Sequence, residues 1–498
     1  MKVAVYQRHL STLGGGERHA LELARFFRDR GDRVDVLAPP GTPLELAAER
    51  LGLDVNDLGL VTLDPRRPCH DASERSGSYD CFVNASYGST AVNRSPRGVY
   101  ACHFPWRHEG DEMAYGEAPE PYGPGGLAWV RPGKGLFRDP ARGWWASGNG
   151  RLQVTHSGGL PWTLVLRVAR AHHGWSGGAE KVDVLLDGTF VRRAHLPPFG
   201  ARTIRVRLPV ARAHAEHRVS LSSDSRVEPM TGQRLGVHLR GIDLRAPGCE
   251  KPELGDAPFA LRSYDLLLAH SAYVARWIRT WWGLESAVVH PSVAPIAVPE
   301  GARDPADRRS IVVVGRFFTE GHSKCQADLV SAFRGLHDAG LEGWRLHLVG
   351  SVDGPLGRRY LDHVRGLAAG YPVDIHADAS RADLERRIGN AAIVWHASGW
   401  RRDASRYPGH FEHFGIGIVE AMSAGAVPVV LGIGGPDEIV RHGVDGLKWI
   451  DGPEEATLSL ADNPALLRQL SANASERAAA FRPAAFDAKI ASAVAGLA

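Results

Sequence analysis

The sequence predicts an α/β protein built from two doubly wound parallel-sheet domains facing a cleft, with an all-β sandwich inserted in the first. Three observations predict it. A strand, a glycine loop, a helix and a second strand open the chain, and a succession of the same kind restarts near residue 308. Between about residues 140 and 246 that rhythm gives way to period-2 alternation with no helices between the runs.

The first unit begins with KVAVY (2–6), a short apolar run that reads as a buried strand. LSTLGGGERHALELARFFRDRG follows, a glycine loop leading into a helix that places Leu21, Ala24 and Phe27 on one face and stops at Gly31. VDVLAP (34–39) is the next strand, and YDCFVNAS (79–86) and GVYACHFP (98–105) continue the sheet. YDLLLAHS (264–271) resumes it, with the amphipathic helix AYVARWIRTWWG behind. RRSIVVVGRFF (308–318) starts the second unit, which runs on through WRLHLVGS, AAIVWHAS and AVPVVLGIGG. HPSVAPIAVPEGARDPADR (290–308), rich in proline and alanine, reads as the linker.

In the insert, RLQVTHS, WTLVLRVA, KVDVLLDG, TIRVRLPV, HRVSLSSD and RLGVHLRGIDL alternate apolar and polar residues, the mark of antiparallel strands. Residues 106–143, rich in Gly, Pro and Trp, read as long loops. The expected division is therefore 1–139 and 247–295 for the first domain, 140–246 for the sandwich, 296–480 for the second domain and 481–498 for a C-terminal helix.

Bulk properties bound the function. At 498 residues the chain exceeds one ordinary core, and 44% hydrophobic with 23% charged residues is a globular composition. A formal net charge of +3 argues against a nucleic-acid partner. Five scattered cysteines without a C-x-x-C pair argue against a disulfide framework and a zinc site. The N-terminal MKVAVYQRHL turns polar too soon for a signal peptide, and no apolar run approaches a membrane span, so a cytoplasmic protein is expected.

The chemistry concentrates in FEHFGIGIVEAMSAGAVPVV (411–430), which carries Glu412 and Glu420 around a glycine-rich step. Eight residues of continuous helix span about 12 Å, too far for the paired carboxylates of a retaining glycosidase at about 5–5.5 Å. Gly415 and Gly417 place Glu412 in a loop and start a helix near Ile416, so the Phe414–Gly417 amides point at whatever binds there. Helix N-termini favour anions.

That stretch resembles the E-x7-E region of family 4 glycosyltransferases, retaining enzymes of the GT-B fold. VGRFFTEGHSKCQADLVSAF is similar to the family's phosphate-binding segment, and LGGGERHALELARFF to its first glycine loop. CHFP puts His103 where the family carries an active-site histidine. CHFP, WHASGW and FEHFG are nearest the mannosyltransferases of asparagine-linked glycan assembly. The resemblance covers about 1–105 and 255–498 and leaves the insert out. It implies transfer of a hexosyl group from a nucleotide sugar, a GDP- or UDP-sugar, to a glycan, lipid-linked or small-molecule hydroxyl, without a cofactor. Arg316 and Lys324 would bind the diphosphate, with the amides of Gly15, Gly16, Phe414, Gly415, Ile416 and Gly417 around it. Glu412 would meet the sugar hydroxyls, Glu420 the ribose, and His103 the reacting sugar. Cys325 departs from the pattern, standing where relatives often carry a second lysine. No D-x-D segment is present to hold a metal, so metal-independent transfer is expected, with at most weak peripheral contact at the inner membrane face.

Two other readings compete: a non-catalytic glycan-binding protein on a GT-B scaffold, and another GT-B enzyme such as a nucleotide-sugar epimerase or a phosphorylase. The insert, with Arg205, Arg207, His217 and Arg218 on its strands, reads either as an acceptor-holding module or as a spacer or dimer contact. Trp144, Trp145, Trp162 and Trp175 read either as sugar-stacking platforms or as core.

Overall fold

The computed structural model describes residues 1–498 apart from 13, 42–43, 66, 106–113, 119–125, 140–142, 157–158, 171–178, 199, 212–214, 228–233, 247–258, 299–303, 319–321, 353, 406 and 498. Two compact units result. One comprises Met1–Tyr87, Ala91–Pro105 and Ala260–Ala498; the other comprises Gly88–Thr90 and Trp106–Phe259.

The first unit holds two parallel sheets. Its N-terminal sheet has seven strands, ordered Ala287–Val288, Leu266–Ala269, Arg97–Cys102, Cys81–Asn84, Lys2–Tyr6, Arg33–Ala38 and Gly59–Thr62. The chain starts in the middle, winds to one edge and then crosses back. The order therefore reverses between Lys2–Tyr6 and Cys81–Asn84, which pair in parallel. Val3, Val5, Val34, Val36, Val83 and Val99 are buried here, as expected of strands covered on both faces. The C-terminal sheet repeats the plan with six strands: Val373–Ala377, Arg345–Gly350, Ser310–Val314, Ile393–His396, Val427–Leu431 and Leu447–Trp449. Its order reverses between Ser310–Val314 and Ile393–His396. In doubly wound sheets ligands bind beyond the carboxyl ends of the strands at that reversal.

The C-terminal helix, Pro483–Val494, returns to the N-terminal half: Phe486 and Ile490 join the core under the first sheet, and Asp487 meets Arg25 at 2.5 Å. The sequence-level division had set it apart from both halves. Among the described residues no helix is long and apolar enough to cross a membrane.

The second unit is all β. One antiparallel sheet runs Thr189–His195, Lys181–Leu186, Ala215–Ser223, Asn149–His156, Gly126–Pro132, Ala114–Ala118; the other runs Arg202–Arg207, Thr163–Arg170, Val237–Arg245, Gly143–Ala146, Leu136–Asp139. Leu152, Val154, Val219 and Leu221 of the first share one core with Leu164, Leu166, Ile204 and Val206 of the second. The loop reading of 106–143 is corrected here, because four strands fall between Ala114 and Ala146. Glycines and prolines interrupt their alternation, so the pattern alone missed them. Trp162 is fully buried in the sandwich core, against which Trp144 packs, and Trp145 is buried with its ring stacked on His238 at 4.3 Å. Trp175 lies outside the described residues. Arg205, Arg207 and Arg218 are exposed, whereas His217 is half-buried against Asp187 at 2.7 Å.

Candidate active site

At the switch point of the C-terminal sheet, Ser310–Val314 ends in Gly315 and Arg316. Arg316 is exposed, its guanidinium 5.9 Å from the Phe318 ring. Gln326 fixes this turn by donating to the carbonyls of Gly315 (3.1 Å) and Arg316 (2.9 Å). The stem of Lys324 lies against Gly315 where any Cβ would stand, and its ammonium meets the Glu412 carboxylate in a short contact. His396, at the end of the neighbouring strand, donates from Nε2 to the same carboxylate oxygen at 2.7 Å. His322 stands 3.6 Å from the other oxygen, beyond hydrogen-bond range.

The loop after Glu412 turns through Gly415, whose φ of 116° suits glycine, into the helix Ile416–Ser423. Ile418, Ala421 and Met422 of that helix are buried, as the apolar spacing predicts. The first amides of the helix, those of Ile416 and Gly417, have no intrahelical acceptor. Phe414 contributes backbone only, because its ring packs with His290 and Phe481. Gly417 sits against Val314, where a Cβ would come within 3.3 Å.

Glu420, one turn on, is buried and receives two guanidinium groups on Oε1: Arg18 at 2.8 Å and Arg381 at 2.8 Å. Arg18 belongs to the first helix of the N-terminal half, Gly15–Asp29. The two glycine-rich helix starts also meet directly, since a Cβ on Gly15 would lie 3.2 Å from the Ile416 methyl. Ser271 donating to the His413 carbonyl at 2.5 Å and Tyr273 donating to the Pro408 carbonyl at 2.8 Å join the halves further along.

Across the seam, His103 donates from Nε2 to the Ala85 carbonyl at 2.8 Å, which leaves Nδ1 as an acceptor. The ring stands so close to the glycine loop that a Cβ on Gly16 would come 2.5 Å from it. His270 packs edge-on to both His103 (4.6 Å) and His19 (4.2 Å). Phe104 stacks on His413 (4.6 Å), and His413 stacks in turn with His322 (4.7 Å), so aromatic rings link the His103 and Glu412 sides. The Gly14 amide is already taken by the Glu17 carboxylate at 2.7 Å, so the loop offers Gly15 and Gly16 to a ligand.

The electrostatics follow from burial. Burial works to raise the Glu412 pKa, but Lys324 and the adjacent histidines together hold it well below the usual range, so the carboxylate is charged. Desolvation keeps His322, His396 and His103 below the ordinary histidine value, and His19 is pushed down to about 3. The site thus combines charged Arg, Lys and Glu with neutral imidazoles. It is equipped to bind an anion and orient hydroxyl groups.

Of the residues expected from the sequence, Gly15, Gly16 and His103 lie on the N-terminal side of this seam and Lys324, Glu412, Phe414, Gly415, Ile416, Gly417 and Glu420 on the C-terminal side, while Arg316 is exposed just past Ser310–Val314. Arg18, Arg381, His322, His396, His19 and His270 were not singled out. Arg18 sits in the quoted glycine-loop segment and His396 in WHASGW, but nothing local marks either as a partner of a glutamate far along the chain.

Residues 299–477 match the protein family described as Glycosyl transferases group 1. The chain is 26% identical over 193 residues to a GDP-Man:Man(3)GlcNAc(2)-PP-Dol alpha-1,2-mannosyltransferase of Dictyostelium discoideum, 36% of each chain. It is 34% identical over 125 residues to a D-inositol 3-phosphate glycosyltransferase of Thermobispora bispora, covering 22% of this chain and 29% of the other. The matches thus span about a third of those curated relatives. Among solved structures, Anabaena HepE in complex with UDP-glucose shares the fold at a TM-score of 0.54 and 13% identity, over 100% of both chains.

Proposed function

We propose that the protein is a retaining glycosyltransferase of family 4, with the GT-B fold, that moves a hexosyl group from a nucleotide sugar to a hydroxyl acceptor. The observation that carries this reading is the Lys324–Glu412 pair at the switch point of the C-terminal sheet, with Arg316 exposed on the adjoining turn and a second glycine-rich helix start meeting Ile416. The match of residues 299–477 to group 1 glycosyl transferases and the named activities of the relatives support it. UDP-glucose in a structure of the same fold supports a nucleotide-sugar donor.

In such a transfer the C–O bond to the diphosphate breaks and negative charge collects on the leaving phosphate. Preorganised cations and amides at that position lower the barrier. Arg316 forks two phosphate oxygens, while Lys324, with donors to spare beside Glu412, supplies a point charge. The amides of Ile416 and Gly417 face the same anion from one half and those of Gly15 and Gly16 from the other. Glu412, charged and braced by Lys324 and His396, accepts hydrogen bonds from sugar hydroxyls, and the Nδ1 of His103 accepts another. Glu420 exchanges Arg18 for the ribose hydroxyls when the donor enters. The acceptor hydroxyl attacks from the face the diphosphate leaves, forming the new C–O bond and passing its proton to the departing phosphate oxygen, with no metal required.

The test is Arg316→Ala and Lys324→Ala. Each should lower transfer about 10²-fold or more, the scale for losing one preorganised charge contact. Near-normal turnover in both variants would overturn the assignment.

A further inference from the structure

A second group of side chains with ligand chemistry lies at the other edge of the C-terminal sheet. Strands Arg345–Gly350 and Val373–Ala377 pair in parallel, with His347 opposite Asp374 and Val349 opposite His376. The period of two puts His347, Asp374 and His376 on one face. Among the described residues these three form a His/Asp group whose ligand atoms lie within 4.8 Å of one another. The Nδ1 of His347 is 3.4 Å from the Nε2 of His376 and 3.4 Å from Oδ2 of Asp374.

Those separations have a meaning. Tetrahedral ligands bonded at about 2.0–2.1 Å, the range for zinc with nitrogen and oxygen, stand about 3.3–3.4 Å apart. Two edges of the tetrahedron are therefore present before any ion binds. Arg345 donates to both oxygens of Asp374, at 3.0 and 3.1 Å, which fixes the carboxylate in the manner of an outer-shell partner. Arg345, Arg387 and Arg386 oppose a cation here, and Asp374 and Asp383 favour one.

We propose that His347, Asp374 and His376 form a binding site for one divalent transition ion of the zinc type, with water as fourth ligand. His347 binds through Nδ1, His376 through Nε2 and Asp374 through one oxygen. The ion ties the edge strand to its neighbour. Past His376 the chain runs into the helix Arg381–Gly389, whose Arg381 holds Glu420. The site is separate from Arg316, Lys324 and Glu412, and it stands or falls independently of the transfer reaction.

The experiment is a Co²⁺ titration of the full chain after EDTA treatment and dialysis. The site predicts the visible bands of four-coordinate cobalt, saturating at one ion per chain, displaced by Zn²⁺ and accompanied by a raised melting midpoint. His347→Ala and His376→Ala should each weaken binding at least tenfold while melting like the parent in EDTA. Asp374→Asn provides a variant of unchanged volume should either alanine variant fold poorly. Absence of four-coordinate bands, or bands of equal affinity in these variants, would overturn the proposal.

Discussion

Glu412 and Glu420 stand on the same short segment yet are held by different partners, and their roles divide accordingly. Lys324 and His396 hold Glu412, both from the C-terminal half, at the position proposed for the sugar. Arg18 and Arg381 hold Glu420, so it ties the halves together at the position proposed for the ribose. Glu412→Gln should depress kcat by about 10² with little change in donor KM, because a charge contact made at the reacting sugar is lost. Glu420→Gln should raise donor KM several-fold and change kcat less. Steady-state kinetics on both variants checks this, and equal effects on both parameters would contradict the division. The glutamates were legible in the sequence because glycines bracket them. Arg18 was not, because its partner lies 402 residues away and only the folded chain joins them.

At the scale of elements, the central strands of the two parallel sheets and their helices were legible, whereas several edge strands were not. Gly59–Thr62, Thr189–His195, Val373–Ala377 and Leu447–Trp449 escaped the pattern, and each lies at the edge of its sheet. An edge strand buries less, so its alternation weakens: Thr189–His195 buries only Ala194. The glycine loop is the opposite case, where the sequence marked a loop but not its purpose. Gly16 is required because His103 occupies the space a side chain would need. Gly16→Ala should displace the ring, lower transfer about tenfold or more and cost about 1–3 kcal/mol, the range for overpacking. Gly77→Ala, with no atom nearer than 3.6 Å to its Cβ, is the matched control. Equal melting and activity in the two variants would show that the close approach has no consequence.

At the scale of the whole molecule, the seam between the two parallel-sheet halves is lined with buried neutral histidines, and this sets an acid limit on stability. His19 is held down to about 3 and His413 to about 4, chiefly by burial. Unfolding returns each to about 6.5. Their contribution is fully present above pH 6.5 and is lost as pH falls toward 4, because there the unfolded chain binds protons that the folded chain refuses. Each such ring costs up to about 1.4 kcal/mol per pH unit in that window. The melting midpoint should fall steeply between pH 6.5 and 4, and His19→Phe should flatten the slope; a midpoint constant over that range would contradict the burial argument. The C-terminal helix packed on the N-terminal core, with Asp487 at Arg25, was beyond sequence reading, since nothing in an isolated amphipathic helix states which core it covers. The central claim, a nucleotide-sugar site at the switch point of the C-terminal sheet, is tested most directly by one measurement. The protein, in EDTA, is screened by thermal shift against UDP-, GDP-, ADP- and dTDP-sugars, beside Lys324→Ala. The account predicts that sugars of one nucleotide raise the midpoint, by the equivalent of about 2.7 kcal/mol at a hundred times Kd, and that Lys324→Ala loses most of the shift. No shift with any nucleotide sugar, or an equal shift in the variant, would contradict it.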